Sequence, residues 1–356
     1  MKALVYEGPG KQAWTSVPDP GIADPRDVII QVTTAAICGT DLHILAGDVP
    51  EVDPGRVLGH EAVGIVVETG SDIDDLVPGD RVLVSCISGC GRCAYCRKAR
   101  YGQCRRGGWL LGHMIDGVQA EFARVPFADL SVHRLPSHLS DELAVLLADV
   151  LPTAYEVGVL NGNVRPADTV VVVGCGPIGL AVILTARLLS PARIIAIDQA
   201  EPRLEAAKRA GAEITIKPDE DPLEVVRAVT DGLGADVVIE AVGAPETFEL
   251  CTRLVRPCGR LSVIGVHGKP APLHLEDLWS RDVTITTGLV DTYSTPTLLQ
   301  LVDEGRLDVG GLITHRFTFA GIGDAYRSFA DPVSSGALKV MLTRGGGAAP
   351  GGELDR

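Results

Sequence analysis

Two rhythms of apolar residues divide the chain. Up to about residue 150, short apolar or alternating runs lie between Asp-Pro, Pro-Gly and Gly-rich steps. Residues 28–32, 64–68 and 80–84 are examples, and the pattern predicts a β-rich half. From about 151, continuous apolar strands alternate with helical patterns. Strand 169–173 precedes helix 178–189, and strand 193–197 precedes helix 202–210. Strand 235–240, helix 245–255, strand 260–265 and strand 283–287 follow. Apolar strands with helices between them predict a parallel sheet covered on both faces, and about six strands is the size of a complete dinucleotide fold. After about 290 the rhythm fades: 295–304 and 322–329 read as helices and 339–342 as a final strand. The Gly/Pro-rich tail from 345 reads as loose.

The hydrophobic fraction of 46% and charged fraction of 22% are those of a globular protein. A net charge of −14 disfavours general nucleic-acid binding and anionic membranes. No stretch reaches the roughly 18 apolar residues of a bilayer-crossing helix. The opening Met1-Lys2-Ala3-Leu4-Val5-Tyr6 is no hydrophobic signal. The expectation is a soluble, cytoplasmic protein.

Gly174-Cys175-Gly176-Pro177-Ile178-Gly179 follows strand 169–173 and opens a helix. Gly174 permits a tight turn, Gly176 lets backbone approach a pyrophosphate, and Gly179 lets helix pack on strand. Pro177 suits the helix start, and the helix N-terminus faces the phosphates. Strand 193–197 ends in Asp198, whose carboxylate can accept from ribose hydroxyls and repels a 2′-phosphate, favouring NAD over NADP. Arg203, nearby, could weaken that discrimination.

Four of the nine cysteines, Cys90, Cys93, Cys96 and Cys104, form a C-x2-C-x2-C-x7-C pattern in the Gly-rich lobe 86–108. Four thiolates close a tetrahedron around zinc and leave no vertex for substrate, so this site reads as structural. An iron–sulfur cluster and free thiols are the alternatives. Cys86, just outside the pattern, reads as a small core residue. Cys38, in Ala36-Ile37-Cys38-Gly39-Thr40-Asp41-Leu42-His43, and His60, in Gly59-His60-Glu61, are further candidate ligands. Spacing alone leaves both open to ordinary burial.

Gly59-His60-Glu61-Ala62-Val63-Gly64, with Gly70 and Ile73 beyond, resembles the signature of zinc-containing medium-chain alcohol dehydrogenases. The Cys38 segment, the four-cysteine lobe and the late glycine motif follow in that family's order. The resemblance implies an α/β two-domain protein: a GroES-like catalytic domain (1–150), a Rossmann NAD-binding domain (151–290) and a return to the first domain (291–345), with 346–356 as a flexible tail. It implies two zinc ions, one in the cysteine lobe and one catalytic. The catalytic ion would be held by Cys38, His60 and Asp149, with Glu61 as an exchangeable fourth ligand. Asp149, in Leu147-Ala148-Asp149-Val150-Leu151-Pro152-Thr153, resembles the secondary-alcohol branch, from which Pro152 departs. Thr40 would hydrogen-bond the alcohol oxygen, His43 would pass its proton towards solvent, and Trp109 would line the pocket.

The activity so implied is hydride transfer between NAD and an alcohol, a small secondary alcohol or its ketone. A polyol or threonine dehydrogenase shares the same motifs. A zinc-free quinone-reductase type lacks the ligands present here. A non-catalytic NAD-binding protein would be expected to lose Cys38, His60 or Thr40. The resemblance also implies a homodimer or homotetramer, for which strand 283–287 is a candidate pairing edge.

Asp198→Gly is expected to raise the ratio of kcat/KM with NADP to that with NAD, because repulsion at the 2′-phosphate is lost. Steady-state kinetics with both coenzymes check it, and an unmoved ratio contradicts the assignment.

Overall fold

A computed structural model describes residues 1–345; the expected tail 346–356 lies outside the described residues. The strand Thr169–Val173 is buried at every position, as its run of valines requires. It is the middle of a six-stranded sheet. On one side lie Arg193–Ile197 and then Ile214–Ile216; on the other lie Ala235–Glu240, Val255–Val263 and Thr284–Thr287. All five pairings are parallel. In chain order the strands stand 3-2-1-4-5-6, the order of a dinucleotide-binding sheet. Its carboxyl edge, between the first and fourth strands, is the crevice where such sheets take a ligand.

The first half builds a different, mostly antiparallel sheet of seven strands. Val28–Ile37 is its spine, pairing with Ala62–Thr69, Phe122–Val125 and Lys339–Thr343. Arg81–Val84 and Val132–Arg134 extend one side, and Ile313–Thr318 extends the other by parallel pairing with Lys339–Thr343. The last strand of the chain therefore inserts beside one of the first. A hairpin of Lys2–Gly8 and Lys11–Ser16 stands apart. One apolar cluster runs through both sheets, from Ala36, Val63 and Met341 through Leu147 and Leu151 to Val172 and Ile239. The segment 141–160 is the bridge between the halves.

Several expected bounds shift. The helix expected over 178–189 is Pro177–Ala186, followed by a 3-10 turn, Arg187–Leu189, that Ser190 ends at φ +54°. The strand expected at 260–265 runs instead over Val255–Val263, with a register irregularity opposite Ala235 and Val237 that leaves Cys258 at φ +59°. Periodicity did not foresee Thr153–Leu160, which forms a π-helix. Such wide turns are frequent at functional sites.

The glycine loop is explained by space. Gly174 sits at φ +95°. A Cβ on Gly179 would stand 1.8 Å from the Gly174 carbonyl oxygen, whereas one on Gly176 would meet nothing within 4 Å. The helix thus packs on its own loop at Gly179, and Gly176 leaves open room above it. Gly179→Ala is expected to weaken NAD binding roughly tenfold or more by forcing loop and helix apart. Coenzyme titration checks this with zinc content as the control; unchanged affinity contradicts it.

Candidate active site

In the cysteine lobe, 3-10 turns at Cys96–Lys98 and Tyr101–Gln103 and left-handed residues Gly91, Ala99 and Gly108 fold the loop tightly on itself. Ligand atoms of Cys90, Cys93, Cys96 and Cys104 all lie within 4.8 Å of one another. Cys90 Sγ and Cys96 Sγ are 3.9 Å apart. That is far beyond a disulfide, but a tetrahedron with Zn–S bonds of about 2.3 Å separates its sulfurs by about 3.8 Å. The Arg105 and Cys96 backbone amides bring the Cys93 thiol down to about 6. Burial and the neighbouring Cys104 push Cys96 up to about 12. Four thiolates therefore coexist here only around a cation, and the residues fit the zinc their spacing implies.

The second cluster is assembled from three distant segments. Cys38 caps the helix Gly39–Ala46, and its backbone N–H donates to Asp41 Oδ2 at 2.9 Å. His60 follows Gly59, which at φ +94° passes so close to Gln119 that a Cβ would come within 2.9 Å of the Gln119 backbone nitrogen. Asp149 enters from the bridging segment. Its Oδ2 lies 3.4 Å from His60 Nε2 and 3.6 Å from Cys38 Sγ. Tetrahedral coordination at ordinary bond lengths puts N and O about 3.4 Å apart, and S and O about 3.6 Å apart. Burial alone would raise the Asp149 carboxyl; its contacts with His60 and Thr153 instead hold it below the usual carboxylate range. Thr153 Oγ1 donates to Asp149 Oδ1 at 2.5 Å, so the π-helix begins by steering this carboxylate.

Glu61 joins the same cluster, within 4.8 Å of the other three. Its Oε1 accepts from Lys339 Nζ at 2.6 Å, while Oε2 has no partner. Lys339 is fully buried at the start of the returning strand. Sequence reasoning passed over it, because only the pairing of Lys339–Thr343 with Val28–Ile37 brings it there. Asp41 and Gln119 were also missed: Gln119 Nε2 donates to Asp41 Oδ2 and Gln119 Oε1 accepts from Tyr326.

Above the cluster opens a cavity of about 300 Å³ lined by Cys38, Thr40, His43, His60, Trp109, Asp149, Ile178, Val242, Leu289 and Val290, among others. Thr40 Oγ1 is 3.6 Å from Cys38 Sγ. His43 Nδ1 is 2.9 Å from Asp48 Oδ2. Trp109 meets His60 edge-on at 6.1 Å between ring centres and stacks on His113 at 4.2 Å. Cys86 is buried, as expected of a core residue. It also lines this cavity, with its thiol 3.6 Å from Asp149 Oδ1. A roomier cavity of about 490 Å³, walled by Leu180, Arg187, Arg209 and Leu312, contains none of these groups.

Asp198 is more constrained than a free ribose acceptor. Its Oδ2 accepts from Cys175 N at 2.7 Å and its Oδ1 from Ala200 N at 2.8 Å. Each oxygen keeps a second lone pair. Arg203 Nη1 lies 3.8 Å from Asp198 Oδ2, so it faces the carboxylate directly. Asp198 thus ties the glycine loop to the second strand.

Residues 24–137 match the model of the alcohol dehydrogenase GroES-like domain, and residues 177–304 that of the zinc-binding dehydrogenase domain. An alcohol dehydrogenase of Cupriavidus necator is 35% identical over 96% of this chain and 98% of its own. The apo form of zinc dependent alcohol dehydrogenase 2 from Streptococcus pneumonia superposes with a TM-score of 0.94 at 42% identity, covering 98% of this chain and 100% of that one. The alcohol dehydrogenase TADH from Thermus sp. ATN1 does so with a TM-score of 0.89 at 39% identity, covering 97% and 100%. The agreement spans the metal-bearing half and the parallel sheet alike, and the chain belongs to the zinc-binding alcohol dehydrogenase family.

Proposed function

We propose that the enzyme oxidises small secondary alcohols to ketones, and reduces the ketones, with NAD and two zinc ions per chain. The observation that carries this reading is the Cys38, His60 and Asp149 triangle, spaced for one tetrahedral ion at the floor of a largely apolar cavity. Zinc at that position would supply a Lewis acid that lowers the pKa of an alcohol hydroxyl, and NAD would supply the hydride acceptor.

The chain's own residues do the rest. Cys38, His60 and Asp149 would hold the ion with room left for substrate, and Glu61, tethered by Lys339, keeps one oxygen without a partner as a further ligand. The Thr40 hydroxyl lines the cavity 3.6 Å from Cys38 Sγ and can accept a hydrogen bond from the alcohol while donating its own proton onward. His43, oriented by Asp48, stands at the cavity wall with its other ring nitrogen available to take the proton onward. Val242, Ile264, Val266, Leu289 and Val290 give the cavity an apolar lining that favours an alkyl substituent. Among the described residues, no lysine or arginine lines the cavity, so the carboxylate of threonine would find no cation. That favours a simple alcohol over threonine. Asp198 at the glycine loop supports NAD over NADP.

We further assign the catalytic domain to 1–150 and 291–345 and the NAD-binding domain to 151–290, following the strand memberships. A homodimer, or a homotetramer built from it, would cover the free edge of Thr284–Thr287 and the neighbouring Trp279, which is 80% exposed. No helix among the described residues is long and apolar enough to cross a membrane. None of the nine cysteines is paired in a disulfide, which suits a reducing cytoplasm.

Absorbance of reduced nicotinamide tests the reading. Turnover of propan-2-ol with NAD, slower with ethanol and slower with NADP, is expected; silence on both alcohols contradicts it. Cys38→Ser is expected to lower turnover roughly a thousandfold or more while NAD binding survives. Retained turnover would remove Cys38 from the site, and loss of both would signal misfolding.

A further inference from the structure

One wall of the cavity is held by a buried acid. Glu156 lies on the π-helix Thr153–Leu160 and is only 4% exposed. Its Oε2 accepts from the backbone N–H groups of Asp291 and Thr292, at 2.9 and 3.0 Å. Its Oε1 accepts from Ser294 N at 2.8 Å and Ser294 Oγ at 2.6 Å. Four donors converge on one side chain, and no cation lies within ion-pair distance of it among the described residues. Only a carboxylate offers an acceptor to each of the four. The bonds also hold Thr292 at φ +63°, a left-handed conformation unusual for a β-branched residue.

The clamped loop continues directly into the cavity. Gly288, Leu289 and Val290 line it, and Val290 packs with Cys86, Ile87 and Val157. The loop's other side is tied to the cysteine lobe. Asp291 Oδ1 accepts from Gly102 N at 2.9 Å, and Asp291 Oδ2 lies 3.2 Å from Arg100 Nη1. A Cβ on Gly102 would stand 2.5 Å from the Val290 carbonyl oxygen, so lobe and wall are in direct backbone contact.

We propose that Glu156 is a specificity-determining positioning residue: by fixing residues 291–294 against the four-cysteine lobe, it sets where Leu289 and Val290 stand and so how large an alcohol the cavity admits. This deepens the reading above and rests on it for the substrate class. Glu156 itself touches neither the metal cluster nor the substrate space. It acts through the wall. The arrangement also gives the lobe a part in substrate choice, since the wall is pinned between the lobe and the bridging helix.

Glu156→Gln keeps the shape but turns an amide NH2 towards two of the four donors, and Ser294→Ala removes one donor and leaves the rest. The test compares kcat and KM of these variants and the parent enzyme for propan-2-ol and for a bulkier alcohol, octan-2-ol. It adds hydrogen exchange of peptides covering 97–104 and 288–294. Glu156→Gln is expected to shift the ratio of kcat/KM for the two alcohols by about fivefold or more, with the change falling on KM. Ser294→Ala should shift it less, in the same direction. Exchange should quicken at 291–294 in both, and at 97–104 in Glu156→Gln. A lowered melting temperature with an unmoved ratio would overturn the proposal and leave Glu156 a mere brace. If Glu156→Gln fails to fold, Ser294→Ala alone decides, and an unmoved ratio there overturns it. Should the parent enzyme oxidise no alcohol, the functional reading fails separately. The exchange data then judge the clamp, and unchanged exchange at 291–294 overturns it.

Discussion

An imidazole, two carboxylates and an ammonium group are buried beside the half-buried Cys38 thiol between the two sheets, and burying that much charge costs several kcal/mol per ion unless each is matched. The rest of the structure serves that matching. Lys339 answers Glu61, and Asp41 lies beside His60 while accepting from Cys38 and Gln119. Cys38, His60 and Asp149 share one small space that a divalent cation would satisfy all at once. Because these groups come from four separate stretches of chain, the cluster exists only when both the early sheet and the returning last strand are in place. Completion of the fold and completion of the site are one event.

Bridge 141–160 carries a second burden. Asp149 at one end lies with Cys38, His60 and Glu61, and Glu156, seven residues on, holds the opposite wall. The π-helix that follows Asp149 and carries Glu156 lets one short segment present both carboxylates, each to a different partner. The cavity is thus bounded by a floor and a wall that are mechanically linked. The wall is linked again, through Asp291, to the cysteine lobe. In this way the four-cysteine lobe would bear on chemistry at the other cluster by shaping the loop that faces it.

Much of this was legible in the sequence because the signals are local. The four cysteines, the glycine loop after a valine strand, and the Gly59-His60-Glu61 segment each hold their chemistry within a few residues. The parallel sheet follows from alternation of apolar strands and helices. What escaped is what depends on distant pairing. Lys339 looks like an exposed strand residue until its strand is laid beside Val28–Ile37. Glu156 looks like an ordinary helical acid, because its four donors lie beyond position 290. Cys86 reads as core, and it is buried, but nothing near it in sequence says that the cavity opens there. The strand Val255–Val263 was misplaced because its bulge interrupts the apolar run that marks a buried strand.

The central claim is that Cys38, His60 and Asp149 hold one ion and the four cysteines another. Anomalous diffraction from crystals of the active enzyme at the zinc edge tests it most directly. The account predicts two peaks per chain. One should lie inside the Cys90, Cys93, Cys96 and Cys104 tetrahedron. The other should lie about 2.3 Å from Cys38 Sγ and about 2 Å from His60 Nε2 and Asp149 Oδ2. An active crystal with no peak at the second position, or with a peak there that leaves Asp149 out of reach, would contradict it.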